Sequence, residues 1–247
     1  MPTSFHDTIT SDHRYTVVEL RQYTLHPGQR DALIELIELE FVLPQEALGM
    51  AVMAQFRDLD NPDRFVWLRG FASMPARAEA LAAFYGGPVW QAHRTAANAT
   101  MIDSDDVLLL RPASGQVALP IESWQRSAPA ASAPPTGALL ALVLSSQANP
   151  DPAGVDAFMR RMAARLATCG GVFSGCYVTE PAPNNFPRLP VREGEHVIVW
   201  LAQFTHFAAM QAMAAQCAPL VDSDPLFADL RTPPLVLRLV PTLQSRF

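Results

Sequence analysis

Apolar residues along this chain fall into short alternating runs and longer helical stripes, and the two kinds succeed each other in the same order twice. Tyr15 to Leu25 reads as a strand ended by the turn His26-Pro27-Gly28. Asp31 to Val42 then sets Leu33, Ile34, Ile37 and Phe41 at helical spacing, with Pro44 as its stop. Met50 to Asp58 and Arg64 to Phe71 read as strands joined by the turn chemistry of Asp60-Asn61-Pro62-Asp63. A helix over about 75–85 is stopped by Gly86-Gly87, Pro88 opens another over about 89–100, and Val107 to Arg111 is a final strand. The second pass gives a strand from Ala138 to Ser145 and a helix from Pro152 to Thr168 with Val155, Phe158, Met162 and Leu166 on one side. Strands Val172 to Thr179 and Val197 to Phe204, a helix Phe207 to Cys217 and a strand Leu235 to Val240 complete it.

The repetition holds residue by residue. Aligning Trp67 with Trp200 also aligns Phe71 with Phe204, and the flanking elements follow in step. Two βαββαβ units predict an α+β fold of two tandem ferredoxin-like repeats, at 15–112 and 138–241. The Pro/Ala/Ser-rich stretch 113–137 reads as a linker over the surface, pinned by Trp124. Each sheet carries helices on one side only, so the two free faces are expected to pack against each other.

Composition narrows the function. A net charge of −6 with no basic cluster argues against nucleic acid, and all 18 basic residues are arginine, which excludes Schiff-base chemistry on lysine. No stretch approaches a membrane span, and the polar N-terminus lacks the apolar run of a signal peptide, so a cytoplasmic protein is expected. Cys169, Cys176 and Cys217 lack metal-ligand spacing and read as reduced, buried thiols. Asp103-Ser104-Asp105-Asp106 reads as a turn whose side chains cap backbone N–H groups rather than as a cation loop.

The string Gln55 to Phe71, with its Arg64-Phe65-Val66-Trp67-Leu68-Arg69-Gly70-Phe71 end, resembles the NIPSNAP family. So does Phe84-Tyr85-Gly86-Gly87-Pro88-Val89-Trp90-Gln91-Ala92-His93-Arg94, continued by Ala97-Asn98-Ala99-Thr100. With Val18 to Gly28 the likeness covers most of 15–112. The second half is similar mainly through the duplication and the run Asn185 to Glu195. The resemblance implies the dimeric α+β barrel superfamily, in which two ferredoxin-like units form a barrel, so the tandem would close one pseudo-symmetric barrel within the chain. Its members include cofactor-free quinol monooxygenases, haem-dependent enzymes, isomerases and proteins of no known reaction.

Alternation puts Phe65, Trp67, Arg69 and Phe71 on one strand face, expected to line the barrel. Arg69 would hold the anionic form of a substrate against aromatic walls, or else pair structurally with an acid such as Glu19. The matching residues Ile198, Trp200, Ala202 and Phe204 lack the arginine, so any polar site is one-sided. Trp90, His93, Arg94 and Asn98 share one helix. His93 is a candidate general base or iron ligand, with surface pairing to Asp103, Asp105 or Asp106 as the alternative. The proline-stiffened segment Glu180 to Glu195, with Arg188 and Arg192, reads equally as a lid or as a subunit contact.

The expectation is a monooxygenase-like enzyme acting on an aromatic or quinoid substrate inside the barrel. Arg69 and His93 would be catalytic, and Phe65, Trp67, Phe71, Trp90, Arg94, Asn98 and Trp200 would contact the ligand. No metal and no cofactor are expected. The alternatives are a haem or small-ligand binding protein using His93 or His206, and a scaffold whose aromatics are simply core. The expected partner is a small molecule, not nucleic acid or membrane; the duplication allows a monomer, and a second surface allows a homodimer.

Overall fold

Strands buried on both faces need cover on both sides, and the chain supplies it with helices outside and a closed barrel inside. The computed structural model describes residues 15–113, 136–217, 220 and 224–246. Its first half runs β1 (Val17–Leu25), α1 (Arg30–Leu36), a π-helical segment (Ile37–Phe41), α2 (Val42–Ala47), β2 (Ala51–Asp58), β3 (Arg64–Phe71), α3 (Met74–Gly86), α4 (Pro88–Thr100) and β4 (Met101–Pro112). The second half runs β5 (Ala138–Ser146), α5 (Pro152–Cys169), β6 (Val172–Thr179), β7 (His196–Phe204), α6 (Phe207–Cys217), a 3-10 turn (Pro225–Phe227) and β8 (Leu235–Pro241). The strands close in the order β1-β3-β2-β8-β5-β7-β6-β4, every pair antiparallel. Each half keeps the ferredoxin-like order, and the halves join edge to edge where β2 meets β8 and β4 meets β6, leaving no open edge. Most of the linker 113–137, Trp124 included, lies outside the described residues.

The barrel interior is mostly aliphatic: Val18, Leu20, Val66, Leu68, Leu108, Leu139, Val199, Leu201 and Leu239 pack there with Phe56 and Tyr177. Gly70 faces the same way, and a Cβ there would fall on the Met53 side chain. This corrects the expected placement of the aromatic face. Phe65, Trp67 and Phe71 belong to a separate outer layer with Leu33, Ile37, Phe41 and Phe84 of the helices. The alternation of β3 is as the sequence predicts, but its large-residue face points out of the barrel. An eight-stranded barrel encloses only enough space for modest side chains, whereas the gap between a sheet and helices takes large rings.

Two boundaries also differ from expectation. Pro44 does not end the first helical run, which continues to Ala47. The π turn before it rearranges the hydrogen bonds, with the Val42 N–H donating to Ile37 O, and the Gln45 side-chain amide donates to Phe41 O at 3.2 Å. β4 starts at Met101, so Asp103 to Asp106 lie in a strand with register shifts against β1 rather than in a turn, although the Asp103 carboxylate does accept the Asp105 N–H at 2.8 Å.

In the second half Phe158, Met162, Trp200, Phe204, Met210 and Met213 are buried together between sheet and helices. Among the described residues no helix is long and apolar enough to cross a membrane.

Candidate active site

β1 reads Val-Val-Glu-Leu-Arg-Gln-Tyr-Thr-Leu, so Glu19, Arg21 and Tyr23 share its helix-facing side while Val18 and Leu20 enter the barrel. Its register with β3 sets Glu19 opposite Arg69, Arg21 opposite Trp67 and Tyr23 opposite Phe65. Arg77 of α3 completes the group. Glu19 Oε2 accepts from Arg69 Nη2 at 2.7 Å and Arg21 Nη1 at 2.8 Å, and Oε1 accepts from Arg77 Nε at 2.7 Å. Glu19 and all three arginines have no exposed surface. One carboxylate therefore faces three guanidinium groups, and the cluster carries two uncompensated positive charges.

Burial by itself would raise the Glu19 carboxyl, but Arg69, Arg21 and Arg77 hold it well below the usual carboxylate range. Burial lowers the Arg77 guanidinium, against the pull of Glu19, and raises the Tyr23 phenol. Neighbouring rings and amides hold the guanidinium groups in place. Arg69 Nη1 donates to Gln45 Oε1 at 2.9 Å, and its Cζ lies 5.0 Å from the Trp67 ring centre. Arg21 Nε donates to the Tyr23 hydroxyl at 2.9 Å. Arg77 Nη1 donates to Asn184 Oδ1 at 3.0 Å and Asn185 Oδ1 at 2.8 Å, both on the β6–β7 loop of the other half.

Beside this cluster is a cavity of about 260 Å³. Tyr23 and Trp67 line it from the sheet, and Ile37, Phe41 and Gln45 from the helical run. Those three sit four residues apart along the π turn, a helical distortion that recurs at functional sites. Phe84, Tyr85 and Trp90 add rings from α3 and α4, with Tyr85 and Trp90 in edge contact at 4.8 Å. The β6–β7 loop covers the cavity with Phe186, Arg188 and Leu189, and Phe186 stacks on Tyr85 at 6.0 Å. Arg192 ties that loop down, pairing with Asp106 at 3.0 Å and Glu195 at 2.5 Å while its own N–H donates to Val107 O.

The expected site residues are only partly brought together. Trp67, Trp90, Asn98 and Arg188 line the cavity, while Phe65 and Phe71 pack in the layer around it. Arg69 lies against Trp67, held by the acid named as its structural partner, as the neighbouring residue in the sheet rather than across the barrel. His93 does not line the cavity. It packs on Phe41 at 6.1 Å, and its Nε2 lies 3.4 Å from Glu40, not from the aspartates of β4. Arg94 and His206 are exposed, and Trp200 is enclosed in the apolar layer of the second half. Among the described residues neither His93 nor His206 lines the cavity.

Arg21, Tyr23, Gln45, Arg77 and Tyr85 were not among the candidates. The signal for the first two is a polar i, i+2, i+4 series on a strand expected to be buried on both faces, absent from its counterpart Ala138–Ser146.

The sheet closes into a barrel within a single chain, with an aromatic cavity under the helices of one half. Residues 18–115 match the NIPSNAP family model. Among solved structures, an anthrone oxidase-like protein is similar at 13% identity over 95% of this chain and 94% of that one, with a TM-score of 0.54. A Lactobacillus acidophilus NCFM protein provisionally named a monooxygenase is similar at 12% identity over 94% of this chain and 97% of that one, TM-score 0.51. A NIPSNAP family protein from Agrobacterium tumefaciens C58 is 23% identical over 44% of this chain and 96% of that one, TM-score 0.40. No curated protein matches the chain.

Proposed function

We propose that the chain is a small-molecule enzyme of the monooxygenase type, acting on an aromatic or quinoid substrate held between the sheet and helices of the first half. The observation that carries this reading is the aromatic cavity set beside a buried cluster with two excess positive charges. The names borne by two whole-chain structural neighbours point the same way.

A buried positive field lowers the cost of forming an anion nearby, far more than the same charges would in water. A benzylic ketone or phenol between Trp67, Phe84 and Trp90 would lose a proton to form an enolate or phenolate. Asp105 is the acidic residue lining the cavity among the described residues, and it is the proton acceptor in this reading. The carbanionic form reacts with dioxygen, and the methylene carbon becomes a carbonyl carbon. One oxygen atom of the dioxygen stays on that carbon, and the other leaves as water with the two methylene hydrogens. The substrate supplies all four electrons, so no further reductant enters the balance. His93 packs behind Phe41 and takes no part in this scheme.

The test is oxygen uptake with an anthrone as substrate, followed together with quinone absorbance. One dioxygen consumed per quinone formed, abolished when Trp67 and Tyr85 are both replaced by alanine, supports the reading. A rate equal to the uncatalysed background across a panel of anthrones, naphthols and hydroquinones would reject it.

A further inference from the structure

Across the helix-facing side of the first sheet, Arg21 of β1, Trp67 of β3 and Gln55 of β2 lie directly opposite one another in register. All three are buried, and each has polar atoms with no partner among the described residues: Arg21 Nη2, Trp67 Nε1, and both Gln55 Nε2 and Oε1. Buried donors are nearly always satisfied, so a row of unmet ones on adjacent strands marks a place where something else binds. The Arg21 guanidinium lies 5.4 Å from the Tyr23 ring centre and 5.7 Å from that of Trp67, and both rings line the cavity. The corresponding row of the second half is Leu142, Trp200 and Cys176, so the fold itself does not require polar residues there.

We propose that the Arg21–Trp67–Gln55 row recognises one anionic oxygen group, and that the ligand is an aromatic phenolate or carboxylate bound with that group innermost. This rests on the small-molecule reading of the cavity and adds both the charge of the ligand and its orientation. The donor set suits an anion: a guanidinium N–H, an indole N–H and an amide N–H, with two net positive charges immediately behind them. Tyr23, Tyr85, Asp105 and Arg188 of the cavity wall and Glu19, Arg69 and Arg77 of the cluster are the other ionisable groups. Glu19 and Asp105 oppose an anion: the two Glu19 carboxylate oxygens are taken up by the three arginines, and Asp105 is exposed to solvent. The rings of Phe84, Tyr85 and Trp90 then hold the apolar body of the ligand nearer the helices.

The probe is 4-nitrophenol, whose ionised form absorbs in the visible, titrated spectrophotometrically with the whole chain. The bound probe is expected to ionise about one pH unit or more below the free probe, a tenfold preference for the anion. Nitrobenzene, similar in shape but neutral, should bind at least about tenfold more weakly, scaled to one charge-assisted hydrogen bond. Trp67→Phe keeps a ring in place and removes one N–H, and Gln55→Leu removes the amide. Each should move the bound probe back toward its free ionisation and leave nitrobenzene unaffected. Comparison with 4-nitrobenzoate separates the two chemistries, since the tighter of the two anions names the head group.

A bound probe that ionises at or above its free value, or nitrobenzene binding as tightly as the phenolate, overturns the inference and leaves the enzyme reading standing. Anion binding with no oxygen uptake on any anthrone overturns the enzyme reading alone. Failure of every aromatic probe to bind removes both.

Discussion

The two halves of this molecule share a topology and differ in what they bury. Pairing registers make the comparison position by position: Glu19, Arg21 and Tyr23 of β1 correspond to Leu140, Leu142 and Leu144 of β5. Arg69 corresponds to Ala202, and Gln55 to Cys176. The second half fills its helix–sheet layer with aliphatic, sulfur and aromatic groups, while the first places three arginines, an acid and a cavity there. One backbone accepts both solutions, so the polar one is not needed to make the fold. Buried ion clusters are costly to desolvate and are often matched or bettered in stability by apolar residues. The first half therefore carries a feature whose benefit lies outside folding.

The largest effect should come from breaking the polar solution. Glu19→Gln leaves three buried guanidinium groups without an anion and should cost about 3–5 kcal/mol in urea unfolding. The linked pH dependence has a definite sign. In the fold the Glu19 carboxyl is held below its ordinary value, so its contribution is complete above about pH 4 and disappears only as pH falls further toward the folded value. Stability of the native chain should thus decline below about pH 4 more steeply than that of Glu19→Gln. Parallel profiles for the two would mean that Glu19 is not the ionised centre of the cluster.

Leu142→Ala probes the apolar solution at the position matching Arg21, and should cost about 2–5 kcal/mol through the cavity it leaves. It should leave binding of aromatic probes in the first half unchanged. Trp67→Phe is expected to change stability by about 1 kcal/mol or less, because the N–H it deletes has no protein partner, while weakening anion binding. A large stability loss there would mean that the indole N–H is satisfied in the folded chain. The smallest effect concerns thiol reactivity. Burial pushes the Cys176 thiol up to about 12 and the Cys217 thiol up to about 11, whereas Cys169 is half-buried. Labelling at pH 8 should therefore find one fast thiol in the native chain and three after unfolding.

Much of the fold was readable from local pattern, because element order, strand alternation and the Trp67/Trp200 duplication are written in residue periodicity. What periodicity could not supply was the choice of face. Val66 and Phe65 are both apolar, and only the width of the closed barrel decides which of them goes inside. The site was partly legible for the same reason. Arg69 stood out among aromatics, and Glu19 was named as its structural partner. Arg77 and Gln45 gave no signal, since their meeting with Glu19 and Arg69 depends on how α3 and the π-distorted helical run dock. His93 drew attention by its chemistry, and the docking of its helix points it toward Glu40.

The β6–β7 loop gives the tandem a polarity. Running from Glu180 to Glu195, it reaches across to the first half, where Asn184 and Asn185 hold Arg77 and Phe186 roofs the cavity. Its counterpart between β2 and β3 is only Leu59 to Asp63, and its Asp60 is engaged in an ion pair with Arg238 on β8. Among the described residues one half donates a roof and the other receives it. The halves are consequently not interchangeable modules: a first half expressed alone would expose the Tyr85 ring and strip Arg77 of two acceptors. In a symmetric pair of separate subunits both roofs would have to be maintained, whereas here the donor half is free to specialise as architecture.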